Sequence, residues 1–354
     1  MFLISEHKWS LWKINYRVCQ KIILNRILSR LQEKDRARKS VLSKAWLDTW
    51  YTFPILSFSD SKILGLPQAK PIEDSVRKRK TLEFCDYVKR RMLKFRDQSL
   101  TIKEFKLNVL RLELHHISKD INILVEIGVE VIEYSQWVGH SQYHYYALPM
   151  CVIEAKSLTK LVLEGFIKID PIFTNHSIKF FSLRELSLRH VLLVDEHAIN
   201  HLISFCHLIE YITLDSCKVL SSGGGTREPM KSLRISGLQK LKSVDVSGIK
   251  YVSIDASSLE NLCYSPGNQN YGVPSIIDID RCRNFKELFL RSVASTFFTN
   301  KWFLELFPKF PFLESLKLEN CEIPERIDIS SVRLKRLETF YRFHLLHQAS
   351  KALS

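Results

Sequence analysis

The chain has 354 residues, 45% of them hydrophobic, 11% aromatic and 25% charged, which is the composition of a folded protein and excludes a disordered or fibrous one. Lysine plus arginine number 52 against 38 acids, a net +14, but the excess lies at the front: 22 basic against 10 acidic residues over 1–100, and 30 against 28 over 101–354. A nucleic-acid reader built on the long C-terminal part would need its own basic surface, and membrane insertion would need an apolar run of roughly 18 residues; neither is present.

The opening "MFLISEHKWS" lacks the apolar region of a signal peptide, so a soluble chain of the nucleus or cytoplasm is expected, with no membrane partner. Residues 1–18 form an atypical first segment. Residues 22–31, "IILNRILSRL", put Ile23, Leu24, Ile27, Leu28 and Leu31 on one helical face. Asp35 then reads as the N-cap of a second helix running on into "SVLSKAWLDTW" at 40–50. There Leu42, Trp46 and Trp50 recur every four residues, with Val41 and Ala45 beside them. A helical module over 19–58 is too small to complete its own core, so part of its apolar surface is expected to meet a partner.

Residues 59–80, rich in proline and charge, read as a linker. "VRKRK" at 76–80, with "KRRMLKFR" at 89–96, suits a solvated charged stretch or, as an alternative, an import signal or anionic contact. Helical spacing returns over 81–95 through Leu82, Cys85, Val88, Met92 and Phe95, and opens a domain over 81–345 before a tail at 346–354.

Within that domain one phrase recurs: "LTKLVLEGF" at 158–166, "LRELSLRHV" at 183–191, "IEYITLDSC" at 209–217, "LKSVDVSGI" at 241–249, "FKELFLRSV" at 285–293 and "LESLKLENC" at 313–321. The core positions Leu161, Leu186 and Ile212, and again Leu262, Leu288 and Leu316, are about 26 residues apart, inside the window of roughly 20–29 for leucine-rich repeats. The fold class is therefore α/β: a short helical module followed by a repeat solenoid with a curved parallel sheet. Helical stretches are expected between the strands, as in 195–208, where Ile199, Leu202, Ile203 and Cys206 share a face. Side chains between the core positions face outward, which makes Lys160, Val162, Glu185, Ser187, Thr213, Asp245, Phe289 and Lys317 candidates for binding a target.

No catalytic, metal or cofactor constellation emerges. The 8 cysteines are scattered and read as buried thiols. His197 and His201 have the spacing of a zinc-protease helix, but Ala198 stands where the general base would be. His140 and His144 read as loop residues, "SSGGGT" at 221–226 as a loop lacking the P-loop Gly-Lys-Ser/Thr, and "NHS" at 175–177 as a glycosylation match without meaning in an unsecreted chain.

"RILSRLQEKDRARKSVLSKAWLDTWYTFPILSF", "TLEFCDYVKRRM" followed by "IKEFKLNV", and "LRELSLRHVLLVDEHAINHLISFCHLIEYITLDSC" together resemble plant F-box/leucine-rich-repeat proteins. The resemblance implies an F-box-like domain at 19–58 docking a Skp-type adaptor and through it a cullin, with repeats holding an unknown target for ubiquitination. The chain would be a non-catalytic receptor subunit. Adaptor contacts would come from Ile23, Leu24, Ile27, Leu28, Leu31, Val41, Leu42, Trp46 and Trp50. The family opens its F-box with Leu-Pro-Asp, where this chain has Cys19, Gln20 and Lys21. A repeat scaffold that has lost adaptor binding is the alternative, and a nucleic-acid binder using the basic front a further one.

Overall fold

In the computed structural model the leucine spacing becomes strand register. The structure describes residues 19–61, 73–109, 120–137, 145–169, 180–220, 226–267, 276–293, 297–298, 300–321 and 333–340. The chain divides into two compact units, Met1–Phe166 and Ile167–Ser354. The stretches at 140–144, 175–177 and 221–225, the first segment and the tail lie outside the described residues.

The first unit opens with helix α1 over 19–28, α2 at Glu33–Lys39, a 3-10 turn at Ser40–Leu42 and α3 at Lys44–Tyr51. The expected unbroken helix through 50 is therefore interrupted. Ser43 is extended (φ −164°) and its hydroxyl accepts the Trp46 N–H at 3.4 Å, capping a new helix. Asp35 lies inside the first turn of α2, whose N-cap is Gln32 without a side-chain bond. Helix α4, Asp74–Asp97, reaches back into the stretch read as linker and buries Phe84, Cys85, Val88, Met92 and Phe95.

Four parallel strands belong to this unit: β1 Ile55–Ser59, β2 Glu104–Val109, β3 Val131–Gln136 and β4 Lys160–Gly165, with helix α5 at Asn122–Ile127 between β2 and β3. Leu56, Phe105, Ile132 and Leu161 are in register, as are Phe58, Leu107, Tyr134 and Leu163. All are buried, each aliphatic side chain contributing on the order of 1.5–3 kcal/mol. β1 follows α3 so closely that the helical module and the repeat sheet share one chain turn at Thr52–Pro54.

The second unit carries β5 Glu185–Arg189, β6 Tyr211–Asp215, β7 Ser243–Ser247, β8 Asn261–Ser265, β9 Glu287–Arg291, β10 Ser315–Glu319 and β11 Arg336–Phe340. Successive strands pair in parallel, aligning Leu186, Ile212, Val244, Leu262, Leu288, Leu316 and Leu337. Every one of these is buried except Leu337, which is 47% exposed on the last strand. Helix α6, Ala198–Ser204, buries Ile199, Leu202 and Ile203 as its spacing requires, and α7 spans Asn300–Lys309. Elsewhere the return path is a second parallel sheet, Ser232–Ser236, Tyr251–Asp255 and Ile276–Asp278, where helices were expected.

The repeat phrase also fixes the turns. His190, Ser216, Ser292 and Asn320, one residue past their strands, all take left-handed φ values of 50–56°. Each donates its N–H to the carbonyl of the last residue of the following strand, at 2.7–2.9 Å, so the unusual φ extends the ladder by one bond. The next residue turns inward: the Cys217 thiol donates to the Leu188 carbonyl and the Cys321 thiol to that of Leu290, at 3.5 and 3.4 Å. Burial pushes the Cys217 thiol up to about 12 and that of Cys321 to about 11, so both stay protonated. Because Ser292 holds this φ with its own Cβ, Ser292→Val is expected to lower stability by about 1–3 kcal/mol, whereas Ser292→Gly leaves it unchanged or slightly raised. Urea unfolding followed by circular dichroism checks the order.

Candidate interaction surfaces

The front module splits its apolar residues between two directions. Leu24, Leu28 and Trp50 are buried; Leu31, just past α1, and Trp46 are half-buried. Ile23 and Ile27 on α1 are 59% and 41% exposed, and Val41 and Leu42, displaced into the 3-10 turn, are 83% and 61% exposed. Ile22, also exposed, was not singled out by the periodicity because it lies off the leucine stripe. Around these residues Lys21, Arg26, Arg30, Lys34, Lys39 and Lys44 are all exposed.

Trp50 has an internal task. It packs with Leu28 and Phe53, donates its indole N–H to Glu33 Oε1 at 3.2 Å, and lies under the Arg91 guanidinium of α4, 4.3 Å from the ring centroid. Glu33 is flanked by Arg36 and Arg91 at 3.6 and 3.8 Å, all three side chains almost fully covered. Burial raises the Glu33 carboxyl pKa even though both guanidinium groups pull it down, and burial lowers the two arginines. Desolvation is thus the larger influence on each of the three charges, and the cluster ties α2, α3 and α4 together.

The outward faces of β2–β4 are bridged by charge. Lys106 lies 3.3 Å from Glu104 and 3.2 Å from Glu133, and Lys160 lies 3.6 Å from Glu133, with Val162 beside it in register. The start of α2 and strands β1–β3 frame a cleft of about 460 Å3, lined by Ser57, Ser59, Asn108 and Ser135 together with Leu31, Phe58 and Leu107.

In the second unit the outward residues form rows. Ser187, Thr213, Asp245, Cys263, Phe289, Lys317 and Glu338 align across β5–β11, so the predicted candidates there share one line, with Glu185 heading the adjacent row. Ser187 is buried and the others are half-buried. Lys317 pairs with Glu338 at 3.1 Å. The residues just before the strands alternate in sign: Arg184 and Lys242 flank Glu210 at 3.0 and 2.6 Å, Lys286 meets Glu260 at 3.1 Å, and Lys335 meets Glu314 at 2.9 Å. These pairs face solvent and fix register more than they stabilise. Choosing one residue per repeat missed Tyr211, Asp215 and Arg291, which strand alternation places on the same face.

His197 precedes α6 and His201 sits within it, its ring 5.2 Å from that of Phe205. Among the described residues no three His, Cys, Asp or Glu side chains come together as metal ligands do.

Comparison with known proteins bears on these surfaces. Residues 128–282 match the family model described as FBD-associated F-box protein At5g56370, LRR repeats. The repeats are similar to those of plant F-box/leucine-rich-repeat proteins. F-box/LRR-repeat protein At3g58880 of Arabidopsis thaliana is 28% identical over 69% of this chain and 50% of its own length. FBD-associated F-box protein At5g56410 of the same plant is 28% identical over 54% of this chain and 38% of its own. F-box/FBD/LRR-repeat protein At5g62970, also from Arabidopsis thaliana, is 27% identical over 58% of this chain and 46% of its own. The chain thus spans half or less of the length of these F-box/LRR relatives.

Proposed function

We propose that the chain is the substrate-recognition subunit of a Skp–cullin–F-box ubiquitin ligase, its front module docking a Skp-type adaptor and its repeats holding a target protein. The observation that carries this reading is the set of large apolar side chains left uncovered on α1 and the following turn, Ile22, Ile23, Ile27, Val41 and Leu42, in a chain whose repeats match those of F-box proteins. Surface of this kind, ringed by exposed cations, suits a partner that is apolar at the centre and acidic at the rim. Acting in the nucleus or cytoplasm, such a receptor catalyses nothing; it raises the effective concentration of a target lysine at the ligase.

A scaffold that does not dock the adaptor is the second reading, favoured by Cys19, Gln20 and Lys21 standing where relatives open with Leu-Pro-Asp. Capture of the full chain by immobilised Skp-type adaptor decides between them. Wild type is expected to bind, and Leu42→Asp or Val41→Asp to weaken binding by tenfold or more with unchanged circular dichroism, since both side chains are already in water. Binding that ignores both variants, or no capture until Leu-Pro-Asp is restored at 19–21, overturns the docking reading.

A further inference from the structure

The repeat sheet of the second unit ends on β11, and that end is open. β11, Arg336–Phe340, pairs with β10 on one side, and among the described residues no strand pairs with its other side. Leu288 and Leu316, each between two strands, are buried; Leu337, next in the same register, is 47% exposed, and Phe340 is 53% exposed. The strand carries no proline and no bulge, devices that often blunt an edge, and its charges are of both signs.

Its backbone groups divide between the two sides. The Arg336 N–H donates to the Glu314 carbonyl at 3.1 Å and the Phe340 carbonyl accepts the Asn320 N–H at 2.7 Å, so residues 336, 338 and 340 turn toward β10. Alternation then turns the N–H and carbonyl of Leu337 and Thr339 to the open side, where the Lys335 carbonyl, opposite to the Arg336 N–H in its peptide, also points. The side chains alternate as well. Leu337 and Thr339 lie on the core face, while Arg336, Glu338 and Phe340 lie on the outward face in register with Ser315, Lys317 and Glu319. There Arg336 holds Glu287 at 2.7 Å, and Glu338 holds Lys317 at 3.1 Å.

We infer that this edge pairs with a second copy of the same chain, antiparallel about a two-fold axis through Leu337. In that register Leu337 meets Leu337 of the second copy and exchanges both N–H···O bonds with it, and each Thr339 N–H reaches the Lys335 carbonyl opposite. Arg336 faces Glu338, and the exposed Phe340 faces the half-buried Leu334. The charge order selects this register. Across the seam the outward row runs Glu287, Arg336, then Glu338 and Lys317 of the second copy, so signs alternate and the ion pairs already present are continued. An axis through Glu338 would set that carboxylate against itself. A foreign strand would have to supply the complementary order; a second copy has it by symmetry, and the pairing takes Leu337 and Phe340 out of water.

The inference does not depend on the ligase reading, and a seam of two short strands predicts a reversible dimer rather than an obligate one. Because two chains of net +14 repel at long range, the test is run at moderate salt. Sedimentation equilibrium of the full-length protein is expected to give a mass that climbs with concentration from 41.5 kDa toward twice that value. Thr339→Pro removes an N–H on the open side while keeping every bond to β10, and is expected to raise the dissociation constant about tenfold or more at an unchanged urea midpoint. Arg336→Glu and Glu338→Arg each set like charges across the seam and are expected to weaken it similarly. Mixed in equal amounts, those two chains are expected to dimerise with each other, since opposite charges then face in both pairs; this recovery decides the matter even if Thr339→Pro fails to fold. A monomer at every concentration, a dimer indifferent to all three substitutions, or no recovery in the mixture overturns the proposal. A dimer that forms only when residues 341–354 are removed also overturns it, by assigning the edge to that segment.

Discussion

Trp50→Ala is expected to cost about 3–5 kcal/mol of stability by emptying the core of the front module, and the proposed adaptor capture is expected to be lost with that core. The ring is buried against Leu28 and Phe53, so its removal leaves a large cavity in a core of few residues. Glu33 loses its 3.2 Å donor and Arg91 loses the ring beneath its guanidinium, 4.3 Å away. Two buried arginines would then rest on one carboxylate that burial already disfavours. Trp46, four residues earlier and only half-covered, is expected to cost about 1 kcal/mol as alanine, the middle of the range for ordinary substitutions. Urea midpoints of the two variants measure the contrast, and equal values would mean that the helices pack on another face. Leu42→Asp, which leaves the core alone, remains the clean test of docking.

That contrast also marks how far a sequence can be read. The repeats were legible because each buried position recurs with the same neighbours: an aliphatic residue, one outward residue, another aliphatic residue, and then a left-handed turn such as Ser216 or Ser292. In the helical module periodicity identified an apolar stripe but not its fate. Leu24 and Ile23 are adjacent on α1, yet one is buried and the other is in water, because their surroundings are set by elements further along the chain: Leu24 lines a pocket with Ala45, Asp48 and Thr49 of α3. The break at Ser43 was legible in principle, since serine caps helices well, but the tryptophan spacing across it mimicked one continuous helix. The strands Ser232–Ser236 and Tyr251–Asp255 alternate as strands should, and were passed over because the repeat length alone suggested helices there. On the outward face Asp245 was legible as the residue between two core positions. Asp215, in register with Arg189, required strict alternation to be carried two residues further.

Gly165→Ala is expected to destabilise the first unit by about 3–5 kcal/mol, the left-handed backbone and a backbone collision adding together. Gly165 ends β4 at φ +94°, directly opposite Gln136 of β3. A Cβ at this site would stand 2.0 Å from the Gln136 carbonyl oxygen, far inside contact distance, and that oxygen is the acceptor for the Phe166 N–H at 3.0 Å. Relief would require parting β3 from β4 or turning Phe166 away from Trp137 and Tyr145, whose rings lie 6.3 and 5.5 Å from its own. Gly237 separates the two causes: its φ is +77°, but nothing lies within 4 Å of the position a Cβ would take. Gly237→Ala should therefore show the conformational cost alone, about 1 kcal/mol, and the difference between the two urea midpoints measures the collision. If Gly165→Ala is no worse than Gly237→Ala, β3 and β4 do not approach in this register. The parallel ladder of the first unit would then have to be redrawn from its last strand.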